Sequence, residues 1–126
     1  MPATYEIDKQ RRLVITTCLD KLTLAEGLAH QEKLLNDPDF DHRFSQLMDF
    51  TRVDFSGIEA NDIRKLAERN VFSSQSHRAI VVASNLVYGF GRMFEMLREN
   101  AGESGIRIFR DLDEAVDWLL SESLTT

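Results

Sequence analysis

With 126 residues, of which 43% are hydrophobic and 29% charged, the chain has the size and composition of one folded domain, and this excludes a disordered chain. The formal net charge of −6 argues against nucleic acid or an anionic membrane surface as a partner, because such binding needs clustered Lys and Arg. No apolar run approaches the roughly 20 residues that span a bilayer, and no signal-peptide pattern opens the chain. We therefore expect a single cytoplasmic domain over residues 1–126, without stable membrane insertion.

The first elements form a predicted hairpin. Tyr5 and Ile7 alternate with polar residues, as in a short strand, and residues 8–11 form a turn. The β-branched residues over 13–18 predict a second strand. A connection this short requires antiparallel pairing, and it places the basic run 9–12 in a solvated turn.

A first helix follows the hairpin. Thr23 and Glu26 have the spacing of a capping box, and 36–38 (Asn-Asp-Pro) ends the helix. The residues predicted to share its buried face are Leu24, Leu28 and Leu35.

The middle of the chain predicts a strand, a loop and a second helix. Residues 44–50 are largely apolar, as in a strand covered on both faces, and 51–57 form the loop. The helix is predicted from apolar spacing at Ile63, Leu66, Ala67, Asn70 and Val71.

The last third repeats the alternation. Residues 79–83 form a continuous apolar run typical of a central parallel strand, and 106–109 form a final strand. Ser84 and Asn85 offer an N-cap for a long helix, and Asp111 caps the last one. The predicted buried faces are Leu86, Phe90, Met93, Phe94 and Leu97 on the long helix, and Leu112, Ala115, Val116 and Leu119 on the last.

The element order is therefore ββαβαβαβα. Repeated strand–helix units predict an α/β fold with a mostly parallel five-stranded sheet, right-handed crossovers and one antiparallel N-terminal strand.

Three segments carry a family resemblance. They are residues 47–54, 78–95 and 106–119. The second segment contains the sequences Tyr-Gly and Arg-Met-Phe. Together with the element order, these segments resemble the SpoIIAA-like (STAS/SEC14-type) bacterial proteins over nearly the whole chain. The resemblance implies a β–α superhelical sandwich, and it implies little about activity because many such proteins have no assigned role.

The same resemblance points to Ser56. Better-understood relatives are anti-sigma factor antagonists, in which a serine within Asp-Ser-Ser-Gly or Asp-Ser-Ala-Gly is phosphorylated at the start of the second helix. Residues 54–57 of this chain read Asp-Phe-Ser-Gly, which departs from that motif. Ser56 is a candidate phosphorylation site by this resemblance; the alternative is that Ser56 and Glu59 form an ordinary capping box.

Two glycines interrupt the long helix. Gly89 and Gly91 each cost about 1 kcal/mol relative to alanine in a helix, so their presence needs a reason. One explanation is that another part of the backbone packs closely against them. The other is that they open a pocket or a subunit contact beside Tyr88 and Arg92.

Ligands also collect at the carboxyl ends of parallel strands. The residues expected at that rim are Asp20, Asp49, Thr51, Ser56, Ser84, Asn85 and Asp111. The candidate ligand- or partner-binding set is Asp49, Thr51, Ser84, Asn85, Tyr88 and Arg92.

No catalytic, metal or cofactor site is predicted. His30, His42 and His77 lack metal-ligand spacing and are expected on the surface, and no G-x-S-x-G elbow exists. The single cysteine, Cys18, is expected as a small buried side chain.

The leading hypothesis for the function of the chain is a non-enzymatic regulatory module that acts through protein contact, with a partner or with itself. The alternative is SEC14-like binding of a small apolar or lipid-like ligand.

Overall fold

A computed structural model of the chain describes residues 3–125, so residues 1, 2 and 126 of the expected domain lie outside it. The described residues follow the expected order ββαβαβαβα. The strands are β1 (Ala3–Asp8), β2 (Leu13–Lys21), β3 (Ser45–Asp54), β4 (Arg78–Val82) and β5 (Ile106–Phe109). The helices are α1 (Leu24–Leu35), α2 (Ala60–Ala67), α3 (Asn85–Asn100) and α4 (Leu112–Thr125).

The strands form one five-stranded sheet in chain order, β1-β2-β3-β4-β5. β1 and β2 form the expected antiparallel hairpin, and all other neighbours are parallel. Arg12 in the hairpin turn has a φ of 54°, and its N–H donates to the carbonyl oxygen of Lys9 at 3.3 Å. The expected fold class is confirmed.

The helices cover the two faces of the sheet unequally. Because successive parallel strands are also neighbours in space, crossovers of one hand bring α1, α2 and α3 to the same face. Met48 and Ile80 pack on that face with Ile63 of α2 and Val87 of α3. α4 follows the last strand and covers the opposite face, where it packs on the side chains that alternate with these.

Two predicted boundaries are wrong in the middle of the chain. β3 continues to Asp54, through most of the predicted loop 51–57, because it pairs with β2 beyond the end of β4. α2 ends at Ala67, so Asn70 and Val71 follow the helix instead of belonging to it. Val71 is nevertheless buried, which explains its apolar character.

Three leucines predicted to be buried are exposed. They are Leu35, Leu86 and Leu112, at 41%, 59% and 40%. Leu34 and Val87, one position away from Leu35 and Leu86, are buried instead. Leu86 and Leu112 lie in the first turns of α3 and α4, before either helix has crossed back over the sheet. Helix phase is set by where the sheet lies, and residue type alone did not reveal it.

Among the described residues, no helix combines the length and the apolar character needed to cross a bilayer.

Candidate functional site

A cavity of about 100 Å³ lies between the sheet and helices α1–α3. Most of its wall is apolar, and strands β1–β4 and helices α1–α3 all contribute to it. The apolar lining residues include Cys18, Met48 and Ile80 from the sheet, Leu34 and Leu66 from α1 and α2, and Val87, Phe90 and Phe94 from α3. A space behind α3 is what the ligand-binding hypothesis requires.

One wall of this cavity is polar. Arg78, Gln46 and Thr16 come from three adjacent strands, and all three are buried. The Arg78 Nε–H donates to Gln46 Oε1 at 3.1 Å, and Gln46 Nε2 donates to Thr16 Oγ1 at 2.9 Å. Gln46 and Arg78 are direct register partners, so pairing of β3 with β4 places them side by side.

The polar wall continues into a buried ionic cluster. Glu103 accepts from Arg78 Nη1 at 3.0 Å and from Arg98 Nε at 2.9 Å, through the same oxygen. The side chains of these three residues are at most 6% exposed. Arg98 also donates to the carbonyl oxygen of Ala67 at 2.8 Å and to Asn70 Oδ1 at 2.9 Å. The cluster therefore joins the end of α2, the end of α3 and β4.

Helix α1 supplies two further polar groups. The His30 Nε2 atom lies 3.4 Å from Thr16 Oγ1, and the imidazole packs edge-on against the Tyr5 ring. Burial, followed by the charge of Lys33, lowers the pKa of His30 to about 4, so the ring is neutral at neutral pH. Gln31 donates to the carbonyl oxygen of Leu66 at 3.0 Å, but its Oε1 is buried with no hydrogen-bond partner in the described part of the chain. Both residues line the cavity.

Cys18 also lies at the cavity wall and is fully buried, as expected. Burial, followed by the charges of Glu26 and Asp20, raises the pKa of its thiol to about 11. The thiolate form is therefore suppressed, and Cys18 contributes a small apolar surface.

Sequence reasoning missed this polar wall. The only local signal is a polar residue inside an apolar strand, as at Thr16 and Gln46, or directly at its start, as at Arg78. Glu103 falls within the predicted turn 100–105, where an acidic residue is normally solvated. Its burial depends on a fold that brings two arginines to it.

The predicted rim site is only partly assembled. Ser84 caps α3 as expected, since its Oγ accepts from the backbone N–H of Val87 at 3.2 Å. Asn85 Oδ1 accepts from Arg110 Nη2 at 2.9 Å, and the Arg110 guanidinium lies over the Tyr88 ring at 4.7 Å. Asn85 and Tyr88 are therefore joined by Arg110, which was not predicted, and Ser84 lies beside them as the N-cap of the same helix.

The other predicted members have local partners. Asp49 Oδ1 accepts from the Thr51 hydroxyl at 2.7 Å and from its backbone N–H at 3.1 Å. This pair stabilises the bulge where β3 has one more residue than β2. Arg92 forms an ion pair with Glu95 at 2.7 Å on the surface of α3. Among residues 3–125, no hydrogen bond or ion pair joins either pair to Asn85, Tyr88 or Arg110.

The two capping expectations for Ser56 and Asp111 have different outcomes. Glu59 caps α2 with Asp62 as its capping-box partner, so the Ser56–Glu59 box is wrong. Ser56 is exposed, and its backbone N–H donates to Asp54 at 2.8 Å. It precedes the helix by several residues, and the helix-terminus argument for a phosphate there does not hold; phosphorylation of Ser56 stays a prediction. Asp111 does cap α4, accepting from the backbone N–H of Asp113 at 3.2 Å.

The two glycines of α3 have different surroundings. A Cβ on Gly91 would lie 3.2 Å from the Ile108 side chain, so Gly91 permits close packing on β5 and also lines the cavity. A Cβ on Gly89 would meet nothing within 4 Å. The packing explanation is correct for Gly91 and wrong for Gly89.

The histidines do not share one environment. His42 is exposed as predicted, but His30 is half-buried at the cavity, which contradicts the surface prediction. His77 is partly buried and packs edge-on against Trp118. Within residues 3–125, no group of three or more His, Cys, Asp and Glu side chains could hold a metal ion.

Comparison with known proteins identifies the fold. A similar solved structure is an uncharacterized protein of the DUF3478 family with a SpoIIAA-like fold from Shewanella loihica PV-4. The two share 22% identity over 93% of this chain and 91% of that chain, with a TM-score of 0.56. This likeness shows a SpoIIAA-like fold and confirms that part of the sequence-based resemblance. No protein-family model matches the chain, and no curated protein is significantly similar to it.

Proposed function

We propose that this SpoIIAA-like chain is a non-enzymatic binding module that holds a small, largely apolar molecule between its sheet and helices α1–α3. The observation that carries the proposal is the cavity, whose wall is apolar except for one polar side. Protein interiors are close-packed, and voids larger than a water molecule are few. A space of this size beneath three helices therefore needs a reason.

The size of this space supports an occupant. At about 24 cal/mol per Å³, filling about 100 Å³ with apolar atoms is worth on the order of 2 kcal/mol. Gln31 Oε1 has no hydrogen-bond donor among the described residues, so it is an acceptor that a ligand can use. A ligand that fills the space and donates one hydrogen bond gains both contributions.

The volume also restricts the ligand. Pockets for drug-sized molecules measure roughly 300–1,000 Å³, whereas an apolar cavity of about 150 Å³ holds benzene. The cavity described above, at about 100 Å³, is smaller than the benzene-binding one, so its ligand is at most a single ring or a short branched chain. This narrows the earlier expectation of a lipid-like ligand to a much smaller molecule.

A matched pair of glycine variants tests the proposal. Toluene should raise the melting temperature of the wild-type protein, because a ligand that binds only the folded state stabilises it. Gly91→Val, which adds atoms at the cavity wall, should abolish this shift. Gly89→Val, where the added side chain meets open space, should keep it. If no apolar probe shifts the wild-type melting temperature, the proposal is wrong.

A second candidate function is self-association through the rim that carries the starts of α3 and α4. Leu86 and Leu112 are exposed there, and β4 and β5 are neighbours, so their carboxyl ends meet at one edge. Arg110 is held beside them by Asn85 and Tyr88. Large exposed apolar side chains beside an oriented arginine are typical of protein contact surfaces.

Sedimentation tests this second candidate. The sedimentation coefficient of the wild-type protein should rise with concentration, and the double variant Leu86→Ser, Leu112→Ser should remain monomeric. Leu35→Ser is the control, because Leu35 is as exposed as Leu112 but lies at the end of α1. A wild-type protein that stays monomeric at high micromolar concentration would contradict it.

A further inference from the structure

The ionic cluster beside the cavity has unequal charges. Two guanidinium groups, of Arg78 and Arg98, share the single carboxylate of Glu103. His30 and Cys18, the titratable groups on the cavity wall besides Arg78, are neutral at neutral pH. The buried region therefore carries one excess positive charge. Isolated buried charges are strongly unfavourable, and they are normally paired.

We assign the excess charge to Arg78, because every guanidinium nitrogen of Arg98 already donates a hydrogen bond. Arg98 donates through Nε to Glu103, through Nη1 to Ala67 and through Nη2 to Asn70. Arg78 donates through Nε to Gln46 and through Nη1 to Glu103, while its Nη2 has no acceptor among the described residues. Burial lowers the pKa of Arg78, Glu103 opposes this, and Arg98 adds to it.

The Arg78 side chain is also fixed in place. Its guanidinium carbon lies 4.5 Å from the centre of the Phe72 ring and 5.3 Å from that of Phe94. Both rings line the same cavity as Arg78. A guanidinium donates only in its own plane, so a group held this way presents its free edge in one direction.

We propose that the ligand of this cavity is a small hydrophobic carboxylate whose apolar part fills the space and whose carboxylate pairs with Arg78 Nη2. This inference rests on the proposed function, since it names the chemical class of the molecule in the same cavity. An anionic head neutralises the excess buried charge, and a charge-assisted hydrogen bond is roughly twice as strong as a neutral one. The Gln31 Oε1 acceptor then takes a donor elsewhere on the ligand, such as a hydroxyl.

Paired probes of equal shape test the charge. Benzoate and benzamide provide an aromatic pair, and 3-methylbutanoate and 3-methylbutanamide provide an aliphatic pair. Titration calorimetry on the wild-type protein should show at least one carboxylate binding ten times or more tighter than its amide. The pair that binds tells whether the apolar part is a ring or a branched chain.

Substitutions then locate the effect. Arg78→Met should remove the tenfold preference for the carboxylate while keeping binding of the amide. The control Arg92→Met removes a surface guanidinium on α3 and should leave the preference unchanged. If Arg78→Met does not fold, Arg78→Lys keeps the charge without the fork, and the preference should fall but not disappear.

The outcomes separate this inference from the proposed function. If toluene and the amides bind as tightly as the carboxylates, the cavity is a ligand site but the charge inference is wrong. A carboxylate preference that survives Arg78→Met, or is lost in Arg92→Met, also overturns it. If neither toluene nor any paired probe binds, the proposed function fails and this inference fails with it.

Discussion

On the α4 face of the sheet, Leu47, Ala79 and Val81 pack against apolar side chains of the helix, whereas the opposite face carries Thr16 and its polar neighbours. The α4 face is a mainly apolar layer, in which Leu13, Phe109, Ala115 and Leu119 are also buried. The face beneath α1–α3 combines apolar side chains with a buried ionic cluster and a cavity. Such a face is less stable than a fully packed one, and this is where a ligand can restore what packing lacks. On the proposed function, the α1–α3 side holds the ligand and the α4 side contributes packing alone.

The largest effect should come from Glu103→Gln. The substitution leaves two buried guanidinium groups without a carboxylate, so the free energy of unfolding should fall by about 3–5 kcal/mol. Urea denaturation measures it. Glu99→Gln, on the exposed side of α3, should change stability by less than about 0.5 kcal/mol. A loss below about 1 kcal/mol for Glu103→Gln would show that the cluster does not hold the α1–α3 side together.

His30, on the same face, should give a pH effect above the range in which the carboxylates titrate. His30 has a pKa of about 4 in the folded protein, against 6.5 for a free histidine. Between these values the unfolded chain binds a proton that the folded chain does not, so stability should fall as the pH decreases from 6.5 to 4. The slope should be at most about 1.4 kcal/mol per pH unit.

Substitution of histidines checks the source of that slope. His30→Gln should flatten the pH dependence of the melting temperature in this window. His42→Gln should not, because His42 is exposed. Equal slopes in wild type and His30→Gln would assign the effect to other groups.

Adjacent threonines compare the two faces directly. Thr16→Val removes the acceptor of Gln46 Nε2 and should cost about 1–3 kcal/mol. Thr17 is the next residue along β2, so its side chain points to the α4 face, and Thr17→Val should be nearly neutral. Chemical denaturation of the two variants in parallel gives the difference. Similar losses would mean that the polar wall adds nothing specific.

The smallest effect should come from one added methyl group. Val81 is fully buried on the α4 face, and Val81→Ile should cost about 1 kcal/mol through overpacking. Val87 borders the cavity, and Val87→Ile should be neutral or slightly stabilising because there is space for the methyl group. Both residue types are β-branched, so backbone preference is unchanged. Thermal unfolding distinguishes the two, and equal destabilisation would mean that the cavity cannot accept additional atoms.

Much of the fold was predictable because its signals are local. The apolar run at 79–83 and the alternation at 106–109 predict strands, and the short hairpin turn requires antiparallel pairing. The boundaries failed where tertiary pairing decided them, as at 51–54, which β2 holds in strand form. The prediction that Leu86 is buried is wrong because the rotation of a helix about its axis depends on the position of the sheet.

Little of the cavity site could be predicted. Asn85 was predicted from its position after a strand and Tyr88 from the neighbouring helix glycines, and in the structure Arg110 contacts both. Arg78, Gln46 and Glu103 come from distant segments, and each is unremarkable in its local sequence. Their chemistry arises when β3 pairs with β4 and the turn after α3 folds inward. An isolated polar residue in an apolar strand was the one clue to them.

The side chains of Arg78, Gln46, Thr16 and His30 form a row of polar contacts, and part of it has a fixed order of donors and acceptors. Arginine cannot accept a hydrogen bond, so Gln46 must offer its oxygen to Arg78 and its NH₂ to Thr16. The Thr16 hydroxyl keeps its hydrogen and a second lone pair, so it can meet the Nε2 atom of His30 either as donor or as acceptor. We expect the Nδ1–H tautomer of the neutral ring, in which Thr16 donates to Nε2 and the row of hydrogen bonds runs in one sense from Thr16 to the helix. Nitrogen NMR shifts of the imidazole would report which nitrogen holds the hydrogen.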